Sequence, residues 1–192
     1  MKAQRSLQPG DIFATKGTGI AGWAVRNLIT PRTDRFHFGI IWNKWVGKDY
    51  LVLESLSKKG LSVGLLSWYK QEDLEFYRVG CPKELRVQAP GELINWGRSL
   101  YDYLLILKVA LGFPVAVAKI LIKERRLRKP KAEDFPYGVN SSLICTEAVD
   151  IAYDSVGVNL IPIGVLPFPN AFKQAEMDKK MEILTEKEVN NA

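Results

Sequence analysis

The chain of 192 residues has one histidine, His37, and two cysteines, Cys81 and Cys145. A catalytic zinc site draws its ligands from a cluster of His, Cys and carboxylate groups. One His and two scattered Cys supply no such cluster, so no metal and no cofactor is expected. The cysteines lack C-x-x-C spacing, and a single bridge would be a thin disulfide framework. Both are read as reduced, which fits an intracellular setting. Met1 to Leu7 runs into Gln8-Pro9-Gly10-Asp11 without an apolar stretch, unlike a secretory leader. No uninterrupted run of roughly 18 apolar residues occurs, so no ordinary transmembrane helix is expected. These absences together predict a cytoplasmic protein with at most peripheral membrane contact. No internal repeat or low-complexity segment is present.

What is there suits one globular domain. Hydrophobic residues make up 47% of the chain and charged residues 25%, an ordinary balance. The net charge of +6 and pI near 9.3 favour anionic partners. Much of that charge is local, since residues 119–131 hold seven Lys or Arg against one acid, Glu124. Asp11 to Thr15, the segment around His37, Tyr50 to Ser57, Gly60 to Leu66 and Leu74 to Val79 read as short strands of an antiparallel meander. Gly17 to Thr30 has helical apolar spacing and stops at Pro31. The chain then changes character. Two apolar helices are expected at Gly91 to Leu111 and Val115 to Arg128, broken at Gly112-Phe113-Pro114. Ser142 to Val156 is a further helix, with Asn140, Ser141 or Ser142 as N-cap. Lys173 to Ala192 reads as a charged, frayed tail. The expected organisation is one domain over 1–172, a helical insert at about 103–131, and a tail over 173–192.

Chemistry concentrates on three residues. In the His37 strand, Phe36, Phe38, Ile40 and Trp42 share one face, while His37, Gly39 and Ile41 share the other. The aromatic row belongs to the core, so His37 points the opposite way, with Gly39 leaving room beside it. A hairpin turning symmetrically about Trp45 and Val46 puts Glu54 directly opposite His37, with Cβ atoms about 4.5–5.5 Å apart. There a carboxylate orients the imidazole and raises its pKa. A slip of one residue would put Ser55 or Leu53 in its place. Cys145 stands in the first turn of its helix, where free N–H groups and the helix dipole favour a thiolate. Cys, His and a polar orienter are the parts of a thiol nucleophile site. Plainer readings stay open. Cys145 shares an apolar stripe with Val149, Ala152 and Val156, as a buried core cysteine does. His37 and Glu54 each fit a structural role alone.

The order of segments resembles a known family. Leu7-Gln8-Pro9-Gly10-Asp11-Ile12-Phe13 is similar to the opening of the circularly permuted branch of the NlpC-type papain-like superfamily. That branch includes lecithin:retinol acyltransferase-like proteins and bacterial amidase- or peptidase-like members. His37-Phe38-Gly39-Ile40 and Leu51-Val52-Leu53-Glu54-Ser55 resemble its histidine and acidic strands, and Lys59-Gly60-Leu61-Ser62-Val63 its next strand. Tyr101-Asp102 resembles a recurrent pair before the nucleophile, and Leu143-Ile144-Cys145-Thr146-Glu147 the nucleophile segment, with Thr146 in place of the usual Ser. The resemblance implies an α+β, permuted papain-like fold. It implies Cys145 as nucleophile, His37 as general base and Glu54 as its orienter. It also implies Tyr101, Asp102 and the Cys145 main chain on the substrate and oxyanion side. The implied activity is a cysteine hydrolase, a thiol-dependent amidase or peptidase acting on a peptide or amino-acid amide through a thioacyl intermediate. The alternatives are a lipid acyl hydrolase or acyltransferase, and a non-catalytic binding module. The stretch from Tyr103 to Lys131 is longer than a compact member needs. It reads either as core helices with a solvated basic end, or as an interfacial element whose Arg125, Arg126, Arg128 and Lys129 meet an anionic membrane surface. No specific nucleic-acid motif accompanies it.

Overall fold

Alternating apolar side chains fold the first half of the chain into five strands: β1 (Ile12–Lys16), β2 (Arg35–Lys44), β3 (Tyr50–Leu56), β4 (Gly60–Leu65) and β5 (Leu74–Val79). A computed structural model describes residues 7–17, 19–45, 47, 49–97, 99–135 and 143–185. Helix α1 (Gly19–Leu28) lies between β1 and β2. The rest of the chain forms α2 (Lys83–Ile94), α3 (Tyr103–Glu124), α4 (Cys145–Asp154), α5 (Pro169–Met177) and a last strand, β6 (Met181–Leu184). The fold is α+β: one antiparallel sheet, ordered β4-β3-β2-β1-β5-β6, with helices packed against it.

Alternation gives the sheet two faces. Ile12, Ala14, Phe38, Ile40, Leu53 and Tyr77 pack with Ala148, Val149 and Ala152 of α4 and with Phe172 of α5 in the main core. Phe13, Ile41, Val52 and Phe76 face the other way and pack with Leu7, Tyr50 and Leu66. His37 belongs to this second face, edge-on to Phe13.

The Pro-Gly-Asp entry to β1 is an anchor. Gly10 has φ +89°, and a Cβ there would sit 2.0 Å from the Arg86 carbonyl oxygen, so only glycine fits. Asp11 is fully buried and accepts two bonds from Arg78, Nε at 2.8 Å and Nη2 at 2.6 Å, and one from the Gln8 main-chain N–H at 2.7 Å. These bonds satisfy a carboxylate that would otherwise be very costly to bury.

Several expectations are corrected. The sheet is not a plain meander. β5 pairs with β1 rather than β4, and β6 adds beyond β5. Of the tail expected over 173–192, residues 173–185 belong instead to the fold, and the rest lies outside the described residues. Ala171, Phe172 and Ala175 of α5 and Met181 and Leu184 of β6 are buried, so the charged residues only cover apolar sides that the core holds in place. The apolar stretch does not divide at Gly112-Phe113-Pro114. α3 runs through Pro114, and α2 starts well before Gly91 with Pro90 inside it. An interior proline removes one helix hydrogen bond, and packing against the core on one side of α3 outweighs that loss. α4 starts at Cys145 with Ile144 at its N-cap position, later than expected; residues 140–142 lie outside the described residues. By length and composition alone, α3 is also long and apolar enough to cross a membrane. Its three lysines hide this from a count of uninterrupted apolar residues.

Candidate active site

Two bulges set the geometry around His37. β1 and β2 pair Thr15 with His37 but Lys16 with Arg35, so Phe36 is the extra residue. β2 and β3 pair Ile41 with Val52 but Asn43 with Leu51, so Trp42 is the extra residue. Bulges break the ladder locally and re-aim side chains and carbonyls, often beside active sites. The β2–β3 turn runs from Trp45 to Asp49 through Gly47 at φ +80°. As a result Glu54 stands opposite Gly39, not opposite His37. The displacement is two residues, and an even displacement keeps both side chains on one face. Glu54 therefore reaches His37 diagonally, and its Oε2 lies 2.6 Å from His37 Nε2.

Glu54 is fully buried, and its position is prepared by its neighbours. A Cβ on Gly64 would lie 2.7 Å from Glu54 Oε1, so the glycine makes room for the carboxylate. The space at Gly39, expected beside His37, is filled by the Phe13 ring; a Cβ there would lie 2.4 Å from Phe13 Cε1. Tyr69 closes the arrangement. Its hydroxyl donates to Glu54 Oε2 and lies 3.4 Å from His37 Nε2, and its ring stacks on the imidazole at 5.9 Å between centroids. Tyr69 follows a short 3-10 turn, Leu66–Trp68. Sequence reasoning missed it because a residue in a connection has no strand register. Its one signal is a tyrosine inside the apolar run Leu65-Leu66-Ser67-Trp68-Tyr69.

Cys145 reaches the same place from α4. Glu147, at the third position of the helix, accepts from the Ile144 main-chain N–H at 3.1 Å and fixes the helix entry. Ser55 Oγ donates to the Leu143 carbonyl at 2.7 Å, tying this entry to the end of β3. The thiol sits against the main-chain edge of β2, with Sγ 3.8 Å from the carbonyl oxygen of the bulged Phe36. The His37 side chain and the main-chain N–H groups of Phe38 and Thr146 lie near enough to favour the thiol's ionised form. Glu54 occupies Nε2 of His37 and leaves Nδ1 clear of the carboxylate.

The electrostatics follow from these contacts. Burial pushes the Cys145 thiol up, but the His37 hydrogen bond and charge and the Phe38 and Thr146 N–H groups outweigh it and bring it below its ordinary value. Burial likewise lowers His37, but its bonds to Cys145 and Glu54 dominate and raise it to about 10. The two opposite shifts describe one thiolate–imidazolium pair, which titrates as a unit. Burial and the Glu54 carboxylate hold the Tyr69 phenol above its usual range, so it remains a neutral donor at neutral pH. Cys81 has no such support: burial raises its thiol, with Arg86 opposing only in part.

Tyr101 and Asp102 part company. Leu143 N–H donates to the Leu100 carbonyl at 2.8 Å and Asp102 N–H to the Leu143 carbonyl at 3.4 Å, which ties this segment to the nucleophile's. Tyr101 lies near enough to feel the Cys145 charge, and its phenol is raised, chiefly by burial. Asp102 is buried, and its Oδ1 accepts from Leu105 N–H at 2.8 Å as the N-cap of α3. That bond gives its carboxylate a structural role at the start of α3.

Among the described residues no group of three or more His, Cys, Asp or Glu is placed to hold a metal ion. A cavity of about 320 Å³ lined by Thr30, Lys131, Leu160 and Asn170 includes none of Cys145, His37 and Glu54. No protein-family model matches the chain, and no curated protein matches it.

Proposed function

We propose that the chain is a cysteine hydrolase that cleaves a peptide or amino-acid amide bond, on a papain-like fold in permuted order. The observation that carries this reading is the continuous line Cys145–His37–Glu54, braced by Tyr69. A buried thiol with a lowered pKa, beside an imidazole that a buried carboxylate holds, has the form of an activated nucleophile and its base.

The chemistry runs in two steps. The Cys145 thiolate attacks the carbonyl carbon, and the carbonyl π electrons move to oxygen. The first-turn N–H groups of α4 have no acceptor within the helix, and the Cys145 N–H among them suits the developing oxyanion. The imidazolium of His37 gives its proton to the leaving amine as the C–N bond breaks, leaving a thioester on Cys145. His37 then takes a proton from water, the hydroxide attacks the thioester, and the thiolate leaves. Glu54 keeps the imidazole oriented and stabilises its charged form in both steps. Tyr101 supplies a neutral hydroxyl on the substrate side.

A second reading keeps the same chemistry with a lipid acyl ester as substrate. It is favoured by α3, whose exposed apolar side begins beside Tyr101. Turnover of phospholipid or acyl ester without turnover of peptide amides selects it. Labelling with iodoacetamide near neutral pH tests the thiol chemistry common to both readings. Cys145 is expected to be alkylated far faster than Cys81 in the native protein. The His37→Ala variant is expected to lose most of that rate. Equal rates at the two cysteines, or a rate indifferent to His37, leave a non-catalytic binding module as the better description.

A further inference from the structure

α3 is apolar on two opposite sides. One side carries Leu105, Val109 and Ala116, buried with Ile29, Phe135, Ile144 and Leu166, and Ile120, which is buried as well. At 100° per residue, Leu104, Leu107, Leu111, Val115, Ala118 and Ile122 form one stripe on the other side. That stripe faces solvent, with Leu111 68% and Ile122 79% exposed. A contiguous exposed apolar stripe of this length marks an interaction surface.

Charge identifies the occupant. Lys108 and Lys119 line one border of the stripe, Lys123 follows in the last turn, and the helix runs into Arg125 and Lys129, all exposed. Lys119, Lys123, Arg125 and Lys129 have no ion-pair partner among the described residues. Arg128 is different, because Glu124 at 2.8 Å and Asp134 at 2.7 Å neutralise it. Arg126 also leans on Glu124, at 3.4 Å. An apolar stripe bordered by unpaired cations suits an anionic bilayer, where acyl chains receive the stripe and headgroups receive the cations.

We propose that α3 docks the protein on anionic lipid surfaces, lying in the plane of the interface rather than crossing it. Its length, about 33 Å at 1.5 Å per residue, would span a bilayer. Crossing would strip Leu105, Val109 and Ala116 from their cluster and expose Ile144, the residue before Cys145. Docking in the plane keeps that cluster intact, and the domain itself takes the place of the polar face an interfacial helix needs. This surface is independent of whether Cys145 is catalytic.

The test is flotation of the full chain with vesicles of phosphatidylcholine, with and without one-quarter phosphatidylglycerol. The wild type is expected to float with the anionic vesicles and to be released by an alkaline carbonate wash. Joint Leu107→Glu and Leu111→Glu substitution is expected to abolish flotation. Joint Lys123→Ala, Arg125→Ala and Lys129→Ala substitution leaves the apolar stripe in place and is expected to weaken anionic binding at least about 10-fold. Circular dichroism and the thermal midpoint report whether each variant folds. Absence of wild-type binding, or binding indifferent to both sets of substitutions, overturns the proposal. Retention after carbonate overturns it in favour of a spanning helix. A solution dimer that the Glu substitutions dissociate, without vesicle binding, assigns the stripe to a second copy.

Discussion

The His37–Glu54 contact joins a half-buried imidazole to a fully buried carboxylate, and its worth lies in the protonation state it maintains. Glu54→Gln keeps the shape and removes the charge. The imidazolium then loses one of its two stabilising partners, and its pKa falls from about 10 by roughly 1–2 units. Turnover requires the imidazolium as acid, so its alkaline limb is expected to move down by that amount in a pH–rate profile. Alkylation of Cys145 requires only the thiolate. Its acid limb lies below the ordinary thiol value in the wild type and is expected to move up when His37 is lost, because a cationic partner disappears. Tyr69→Phe removes one donor to Glu54 and leaves the ring stack in place. A loss of about 10-fold in turnover is expected, the size of one good hydrogen bond. An unchanged thermal midpoint alongside that loss distinguishes positioning from folding. An indifferent rate removes Tyr69 from the site.

At the scale of elements, strand and helix types were legible where one side of an element meets the core, because alternation and helical spacing record that contact. Phe38 and Ile40 pointed His37 to the opposite face, and the even displacement at Glu54 left the pairing of faces intact. The register was not legible, since bulges at Phe36 and Trp42 leave no mark in an alternating pattern. Tyr69 was hidden because a residue in a connection has no strand register, and the one-sided burial of α3 because apolar residues nearly all round do not say which side meets the core. α3 also separates structural from catalytic roles. Asp102→Ala is expected to cost about 1 kcal/mol in urea unfolding, the usual worth of an N-cap. Asp102→Asn should cost much less and leave Cys145 alkylation unchanged, whereas loss of alkylation in the Asn variant would place the carboxylate in the chemistry. Pro114→Ala restores a helix hydrogen bond at an exposed position and is expected to stabilise the fold by about 1–3 kcal/mol. A destabilised variant would mean that the proline sets a bend the core needs.

The molecule as a whole carries +6, yet its steepest charge problem is an acid on the nucleophile's own helix. Asp150 of α4 is buried, and its Oδ1 has no hydrogen-bond partner among the described residues. Burial, the charges of Asp154 and Glu147, and only partial relief from the Ile161 N–H and Lys180 raise it to about 8. In the unfolded chain the same carboxyl ionises near 3.8. Between these two values the native state binds a proton that the unfolded state has released. Stability is therefore full below the unfolded value and falls as pH rises towards the folded one. Asp150→Asn removes the titration and keeps the volume. The variant and the wild type are expected to unfold alike at about pH 4, and the variant to gain roughly 1–3 kcal/mol by about pH 8, well under the linkage ceiling for such a shift. Urea midpoints for both proteins across that range measure the gap. A gap that does not widen with pH would show that Asp150 stays charged in the folded protein, its burial satisfied by Lys180. Because Asp150 and Cys145 share α4, the widening gap also predicts that mild alkali loosens the helix that presents the thiol, within the same pH range in which the thiolate is most abundant.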